Sequence, residues 1–460
     1  LGTKGTGILT WVFGAGRTNA ELKTAGVRTA PVRISGNKGN RNSNMGFWCW
    51  QDECGTKNSR SAELKIRGDK MEKITENIYY AGVQADGGFL FENQYEVPNG
   101  VTYNSYVILD EKIAVLDTAD SRVTEQWLSN IKEILSGKMP DYLVVSHMEP
   151  DHAANIGNLL KEFPSITIVA NQKTLDILSC YFDIDLSVQS QIVKEGDTLS
   201  LGAHTLKFFM APMVHWPEVM VSYEQKEKIL FSADAFGNFG KIDQCFLAPG
   251  QEDAWQEDAA RYFLNIVGKY GKPVQQLLKK AQGLDIQMIC PLHGPILKEN
   301  LAYFLGKYDA WSSYRADKEG VLVLSASIYG NTDAAAAYLA QCIRENGVSA
   351  KHMTLAGADL SYAVAEAFRY QTVVFACATY DGGLFPCMEN LLYRLSSKNF
   401  QNKKVALVEN GSWAPVAAGK IKAELEKLVG MEFVGQVTMK GALKEADKEK
   451  LRELAKVIAA

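Results

Sequence analysis

Ser146-His147-Met148-Glu149-Pro150-Asp151-His152 sets four potential metal ligands, His147, Glu149, Asp151 and His152, within six residues. The apolar run Tyr142-Leu143-Val144-Val145 before it reads as a buried strand, and Ala153 to Leu160 after it has a helical pattern. A donor-rich loop at the end of a strand can grip cations on a packed scaffold. Pro150 fixes one backbone angle, and an extended loop would project His147, Glu149 and Asp151 to one side. A plain polar surface loop is the simpler reading, but four ligand types so close together rarely arise by accident.

Three further candidates follow, each just past an apolar run. They are His215 in Ala211-Pro212-Met213-Val214-His215-Trp216-Pro217, Asp234 in Phe231-Ser232-Ala233-Asp234, and His293 in Pro291-Leu292-His293-Gly294. The chain has six histidines, and four of them occupy these positions and the first loop. The other two, His204 and His352, lack such settings and read as ordinary surface or edge histidines. Any one of the three alone would more often be structural; in this order behind the first loop the set is far more specific. Around them, 104–109 and 112–117 read as strands joined by the turn Asp110-Glu111. Further strands are expected at 165–170, 205–210, 228–232 and 286–290, and helices at 121–135, 172–180, 256–267 and 273–281. This mixture implies two packed sheets with helices outside.

With 460 residues there is room for two or three domains. A content of 47% hydrophobic and 22% charged residues suits a soluble globular protein, and no run is long enough to span a bilayer. The apolar patch Ile8 to Phe13 has no basic segment before it and no clear cleavage site, which argues against a signal peptide. Eight cysteines, none in a C-x-x-C pair, offer no zinc ribbon or rubredoxin-type site. Their scatter suggests reduced thiols and a cytoplasmic address. A net charge of −4 without basic clusters gives no reason to expect nucleic acid. Residues 1–70 differ from the rest. They hold 12 Lys/Arg against 5 Asp/Glu, are rich in Gly, Asn and Thr, and show no sustained period. That composition favours disorder. Met71-Glu72-Lys73-Ile74 opens like an ordinary start, so an over-long reading frame accounts for 1–70; a genuine flexible extension, carrying Cys49 and Cys54, is the other reading.

The pattern changes near Lys318-Glu319-Gly320. Val321 to Ser325 is a buried-type strand, Ser327-Ile328-Tyr329-Gly330-Asn331-Thr332 a small polar loop, and Asp333 to Glu345 a helix. Free amides and the dipole at such a helix start cradle a phosphate. Strands at 372–377 and 404–409, each followed by a helix, imply a doubly wound parallel sheet with ligand loops at the strand C-termini. Those loops are Ala378-Thr379-Tyr380-Asp381-Gly382-Gly383 and Asn410-Gly411-Ser412-Trp413-Ala414.

With these motifs the chain resembles the flavodiiron proteins, A-type flavoproteins that join a metallo-β-lactamase-like diiron domain to a flavodoxin-like domain. The resemblance implies an α/β chain: an αββα sandwich over 71–319, then a doubly wound FMN domain over 320–460. His147, Glu149 and His215 would hold one iron, Asp151, His152 and His293 the other, and Asp234 would bridge them. Zinc hydrolases of the fold usually have histidine where this chain has Glu149; carboxylate oxygens suit a harder, redox-active cation. Ser327 to Thr332 would take the FMN phosphate, with Tyr380 and Trp413 flanking the ring. Ser412-Trp413-Ala414-Pro415 departs from the glycine-richer form common in the family.

The implied activity is reduction of dioxygen to water, of nitric oxide to nitrous oxide, or both. Electrons would come from a separate rubredoxin or flavoprotein reductase, since the chain ends after the helical stretch Leu443 to Ile458. The family implies a head-to-tail homodimer, or a dimer of dimers, with the FMN of one subunit by the irons of the other. Trp216 and Tyr223 read as pocket walls or as core. Many relatives carry a histidine ahead of the Thr102-Tyr103-Asn104-Ser105-Tyr106 segment; here Phe91 to Pro98 has none, which leaves Glu92 or Asn93 for that place. The rival is a zinc-dependent hydrolase of the same fold fused to a flavodoxin, and Glu149 speaks against it.

Overall fold

Short strands buried on both faces build the first half. The computed structural model describes residues 72–460, so the expectations for 1–70, with Cys49 and Cys54, lie outside the described residues. A seven-stranded sheet runs in the order Glu72–Lys73, Ile78–Tyr80, Tyr106–Ile108, Ala114–Leu116, Tyr142–Val144, Thr167–Ala170, Ser190–Ile192. A five-stranded sheet follows in the order Thr198–Ser200, Thr205–Met210, Met220–Glu224, Ile229–Phe231, Met288–Cys290. Side chains alternate between faces with a period of two. Tyr106, Ile108, Ala114, Leu116, Ile229, Phe231, Met288 and Cys290 meet in the layer between the sheets. Val107, Val115, Leu230 and Ile289 point outward, into the core that Trp127, Ile131, Val274 and Phe304 of the covering helices complete. Apolar residues on both faces explain why these strands read as continuous hydrophobic runs.

The second half is a parallel sheet in the order Ala350–Thr354, Lys318–Ala326, Tyr370–Tyr380, Lys403–Asn410, Met431–Met439, with Gly383–Leu384 returning antiparallel on Tyr370–Tyr380. Asn331–Glu345 and Glu445–Ala459 cover one face through Leu339, Ile343, Leu451 and Leu454. Leu360–Arg369, Pro386–Ser397 and Ala417–Leu425 cover the other through Val364, Leu391 and Ile421. The strand order reverses between Lys318–Ala326 and Tyr370–Tyr380, so the loops after these two strands open a crevice, the usual ligand position in such sheets.

Some elements depart from the sequence reading. Met220–Glu224 is a fully buried strand that its mixed Ser222 and Glu224 concealed. The helix expected over 256–267 is Glu252–Tyr262 followed by a π-helix, Phe263–Val267. There Asn265 donates its side-chain amide to the carbonyls of Arg261 (2.8 Å) and Ser361 (3.0 Å), taking a carbonyl out of the regular ladder. His204 is not a surface residue: it is buried, its backbone N–H donates to Asp110, and its Nδ1 lies 2.7 Å from Asp110 Oδ2, which fixes the turn before Thr205–Met210. His352 does stand on an edge strand, Ala350–Thr354.

Candidate functional site

Five loops at one end of the sandwich supply the donors and their supports. After Tyr142–Val144 the chain turns because the buried Asp117 carboxylate accepts from the amides of Ser146 (2.7 Å) and His147 (3.4 Å). Glu149 then caps a single helical turn, Pro150–Ala153, with Pro150 at its first position. Asp151 and His152 therefore project from a helical turn, and the single extended loop of the sequence reading is replaced by two directions of ligand presentation. His215 follows Thr205–Met210, Asp234 follows Ile229–Phe231, and His293 follows Met288–Cys290.

All seven side chains converge, in two groups. His147, Glu149, His215 and Asp234 form one; Asp151, His152 and His293 form the other. In the first, Glu149 Oε2 lies 3.2 Å from His147 Nε2 and 3.0 Å from His215 Nε2. In the second, Asp151 Oδ2 lies 3.4 Å from His152 Nε2 and 3.2 Å from His293 Nε2. Asp234 belongs to both: its Oδ2 is 3.0 Å from His215 Nε2 and 3.6 Å from His147 Nε2, while its Oδ1 is 3.4 Å from His152 Nε2.

The donor set fits cations. His147 Nδ1 sits 2.8 Å from Glu218 Oε1, and His293 Nδ1 2.7 Å from the Thr102 carbonyl. Each acceptor keeps the ring proton on Nδ1, which leaves the Nε2 lone pair facing the cluster. His152 Nε2 and His293 Nε2 then face each other at 2.9 Å. Both oxygens of Asp151 and Oδ1 of Asp234 are buried without a hydrogen-bond donor. Buried carboxylate oxygens left so are costly unless a cation neutralises them. The charges agree. Burial opposes a charged His215, but Asp234 and Glu149 outweigh it and push the imidazole up to about 9. Burial likewise opposes a charged Glu149, yet His147 and His215 bring its carboxyl down to about 2.

Aromatic rings wall the cluster. Trp216 stands edge-on to His147, with centroids 5.3 Å apart. Phe91, Tyr103 and Tyr262 surround His293 at 5.4, 5.8 and 5.4 Å. The Tyr262 hydroxyl is buried and has no hydrogen-bond partner. Tyr223 is not part of this wall: it lies within Met220–Glu224 and its hydroxyl donates to the Asp285 carbonyl at 2.8 Å. Glu92 and Asn93 form the exposed tip of the hairpin Leu90–Phe91/Tyr95–Glu96, both at positive φ, with Glu92 near enough to feel the charges of Glu149, His215 and Asp151. Sequence reasoning missed Asp117, Glu218 and Tyr262. No spacing marks them, because each supports or surrounds a ligand from a different element.

In the second half, Ser327 to Gly330 joins Lys318–Ala326 to Asn331–Glu345. Gly330 caps that helix at φ +87° with no side-chain acceptor, so the first-turn amides of Asn331 and Thr332 remain free for an anion. A Cβ on Gly330 would meet nothing within 4 Å, so space for a ligand is left above it. Beneath the loop, Ser325 and Thr354 donate to Asp333, and Ser325 Oγ lies 2.9 Å from His352 Nε2. Tyr329 and Trp413 stand 91% and 89% exposed, and Tyr380 42%, around the crevice. Thr379 Oγ1 accepts from the Val416 amide at 3.0 Å, which ties the 379–382 loop to the 411–414 loop. Asp381 and Gly382 both have positive φ, and a Cβ on Gly382 would meet nothing within 4 Å. Free amides, a glycine gap and exposed rings suit a flat, phosphorylated aromatic ligand.

Comparisons with known proteins agree with both halves. Residues 101–294 match the model of the ODP family beta lactamase, and residues 323–455 that of flavodoxin. An uncharacterised protein of Methanocaldococcus jannaschii is 32% identical over 389 residues, covering 84% of this chain and 98% of that protein. The anaerobic nitric oxide reductase flavorubredoxin of Vibrio vulnificus is 27% identical over 339 residues, 72% of this chain and 68% of its own. Among solved structures, the rubredoxin oxygen:oxidoreductase of Desulfovibrio gigas superposes with a TM-score of 0.78 at 26% identity, covering 85% of this chain and 98% of that one. The flavodiiron protein of Giardia intestinalis shares the fold, with a TM-score of 0.80 at 24% identity over 85% and 96% of the two chains. A beta-lactamase-like half followed by a flavodoxin half, both matched by such relatives over most of the chain, makes this chain a member of the flavodiiron protein family.

Proposed function

We propose that this chain is an oxidoreductase that reduces dioxygen to water, nitric oxide to nitrous oxide, or both, at a pair of iron ions fed by FMN. The observation that carries this reading is Asp234, whose two carboxylate oxygens face different ligand groups. One carboxylate so placed holds two metals close enough to act on one small molecule. His147, Glu149 and His215 would hold one iron, Asp151, His152 and His293 the other. Ser327 to Thr332 would hold the FMN phosphate, with Thr379 to Gly382 and Gly411 to Ala414 around the ring. When bound, reduced FMN and two ferrous ions supply the four electrons that dioxygen reduction requires, and the irons alone supply the two that coupling of two nitric oxide molecules requires.

The chain's own residues do the rest. Glu218 and the Thr102 carbonyl hold the rings of His147 and His293 in the ligating tautomer. Phe91, Trp216, Tyr103 and Tyr262 keep bulk water from the cluster. The unpartnered Tyr262 hydroxyl offers a hydrogen-bond donor beside it. The names of the relatives, one for nitric oxide and one for rubredoxin and oxygen, support both substrates and an external donor, a rubredoxin or a flavoprotein reductase. We place the protein in the cytoplasm as a head-to-tail homodimer or a dimer of dimers; the exposed Tyr329 and Trp413 beside the crevice suit a subunit contact. Iron- and FMN-loaded protein, supplied anaerobically with reduced rubredoxin, is expected to consume one or both gases. Full zinc occupancy together with thioester or lactam hydrolysis would overturn the reading.

A further inference from the structure

The metal cluster is covered on one side by the hairpin Leu90–Phe91/Tyr95–Glu96, whose second strand is tied to the flavodoxin-like half directly by Asp359 and indirectly through Arg261 and Asn265. Its inner face carries Phe91, buried, with its ring edge-on to His293 at 5.4 Å and to Phe239 at 5.4 Å. Its last residue is gripped from outside. The Glu96 amide donates to Asp359 Oδ2 at 3.1 Å, and the Glu96 carbonyl accepts from the Arg261 guanidinium. Arg261 is 2% exposed and also donates to Asp359 Oδ2 (3.0 Å) and to Ser361 Oγ (2.8 Å). Its guanidinium lies over the Tyr362 ring at 4.0 Å and the Phe239 ring at 4.9 Å. Asp359 is in turn fixed as the cap of Leu360–Arg369, accepting from the Ser361 amide and hydroxyl, each at 2.8 Å. A second anchor lies alongside. Tyr95 donates its hydroxyl to the Asn265 carbonyl at 3.2 Å, and the same carbonyl accepts from Lys398.

Three contacts thus converge on one short hairpin: one comes straight from Asp359, and two come through Arg261 and Asn265, which Asp359, Ser361 and Lys398 hold in turn. A two-stranded hairpin alone is marginal in water, so its position depends on what it is tied to. We infer that the flavodoxin-like half sets the seat of the His293 ring through this strap, with Arg261 and Asp359 as positioning residues for the metal centre. The inference rests on the metal-centre reading given above. Removing the grip frees Glu96, tilts Phe91 away from His293, and lets that ligand and the adjoining face of the cluster relax. The seam between the halves has another, separate polar network, in which Arg369 pairs with Glu257 and Asp317 at 3.0 Å each, without touching the hairpin. It supplies the control.

Full-length protein carrying Asp359→Ala, Arg261→Lys or Glu257→Gln tests this. In metal-free protein, amide hydrogen exchange over 91–96 is expected to quicken by about tenfold or more in Asp359→Ala and Arg261→Lys, and to be unchanged in Glu257→Gln. In protein loaded with iron and FMN, the first two variants are expected to keep their FMN and iron, yet to shift the mixed-valent EPR signal and change azide affinity several-fold. Asp359→Asn, which keeps one acceptor oxygen, should recover part of both effects. Unchanged exchange in Asp359→Ala, an unchanged EPR signal in the loaded variants, or an equal response of Glu257→Gln would each overturn the inference. Wild-type protein that takes up no iron would overturn the proposed function instead, and the exchange measurement would still decide the strap.

Discussion

A carboxylate behind the candidate ligands decides which nitrogen His147 presents. Glu218 accepts from His147 Nδ1 and from the Met148 amide, and it is buried with them. Glu218→Ala is therefore expected to weaken metal binding by ~10–100-fold, as loss of an orienting partner commonly does. Chelator competition measures this, and an unchanged affinity would show that Glu218 does not orient the ring. Lys403 offers a different test at this scale. It is 1% exposed, donates to the carbonyls of Phe368 (2.5 Å) and Tyr370 (2.8 Å), and burial brings its ammonium down from 10.5 to about 8. Between these values the unfolded chain binds a proton that the folded chain does not, so this group's contribution to stability rises with pH across that window and is flat, at its lowest, below it. Buried thiols such as Cys245 and Cys377, which burial pushes up, pull stability the other way over the same range, so the test is a difference. Wild-type stability minus that of Lys403→Met should rise between about pH 8 and 10 by up to roughly 3 kcal/mol, and a difference that does not change with pH would contradict the shift. The seven ligand candidates were legible because their residue types are rare and ordered. Glu218, Asp117 and Tyr262 were not, since a Glu, an Asp or a Tyr without a motif is indistinguishable from its many counterparts elsewhere in the chain.

Among the elements, the turn into Asn331–Glu345 is the most exacting. Gly330 sits at φ +87°, where an L side chain is strained although space is open. Gly330→Ala is expected to cost about 1–2 kcal/mol and to lower FMN affinity by about tenfold, since the strain is relieved by moving the amides that face the phosphate. Flavin titration and thermal melts would check both; full affinity would mean that the loop does not hold the phosphate. Strands dense in apolar residues, such as Thr205–Met210 and Tyr142–Val144, were readable within a residue or so. Met220–Glu224 was not, because Ser222 and Glu224 break the apolar run of a fully buried strand, Glu224 accepting from the turn amides of Lys226 and Glu227. The one-turn helix Pro150–Ala153 escaped for another reason: four residues are too few to show a period, and only Pro150 hinted at a helix start. The π-helix at Phe263–Val267 depends on a contact from Ser361, nearly a hundred residues away, which no local pattern contains.

At the scale of the molecule, a buried polar seam joins the halves. Arg369 is 1% exposed and pairs with Asp317 and Glu257, while Lys318 joins Glu257 and Glu366. Arg369→Leu would leave Asp317 buried with fewer partners, and a loss of about 3–5 kcal/mol is expected in chemical denaturation; a loss below about 1 kcal/mol would mean that the seam is solvated. The order of the two folds was legible in the succession of motifs, whereas this seam was not, because its charges read individually as ordinary surface residues. The proposed function stands on Asp234, whose two carboxylate oxygens face separate groups of candidate ligands. Mössbauer and EPR spectra of anaerobically purified protein, with metal analysis, test that most directly. Two iron ions per chain, magnetically coupled in the wild type and uncoupled or reduced to one in Asp234→Ala, are the predicted result. Zinc, a single iron, or two uncoupled irons in the wild type would contradict it.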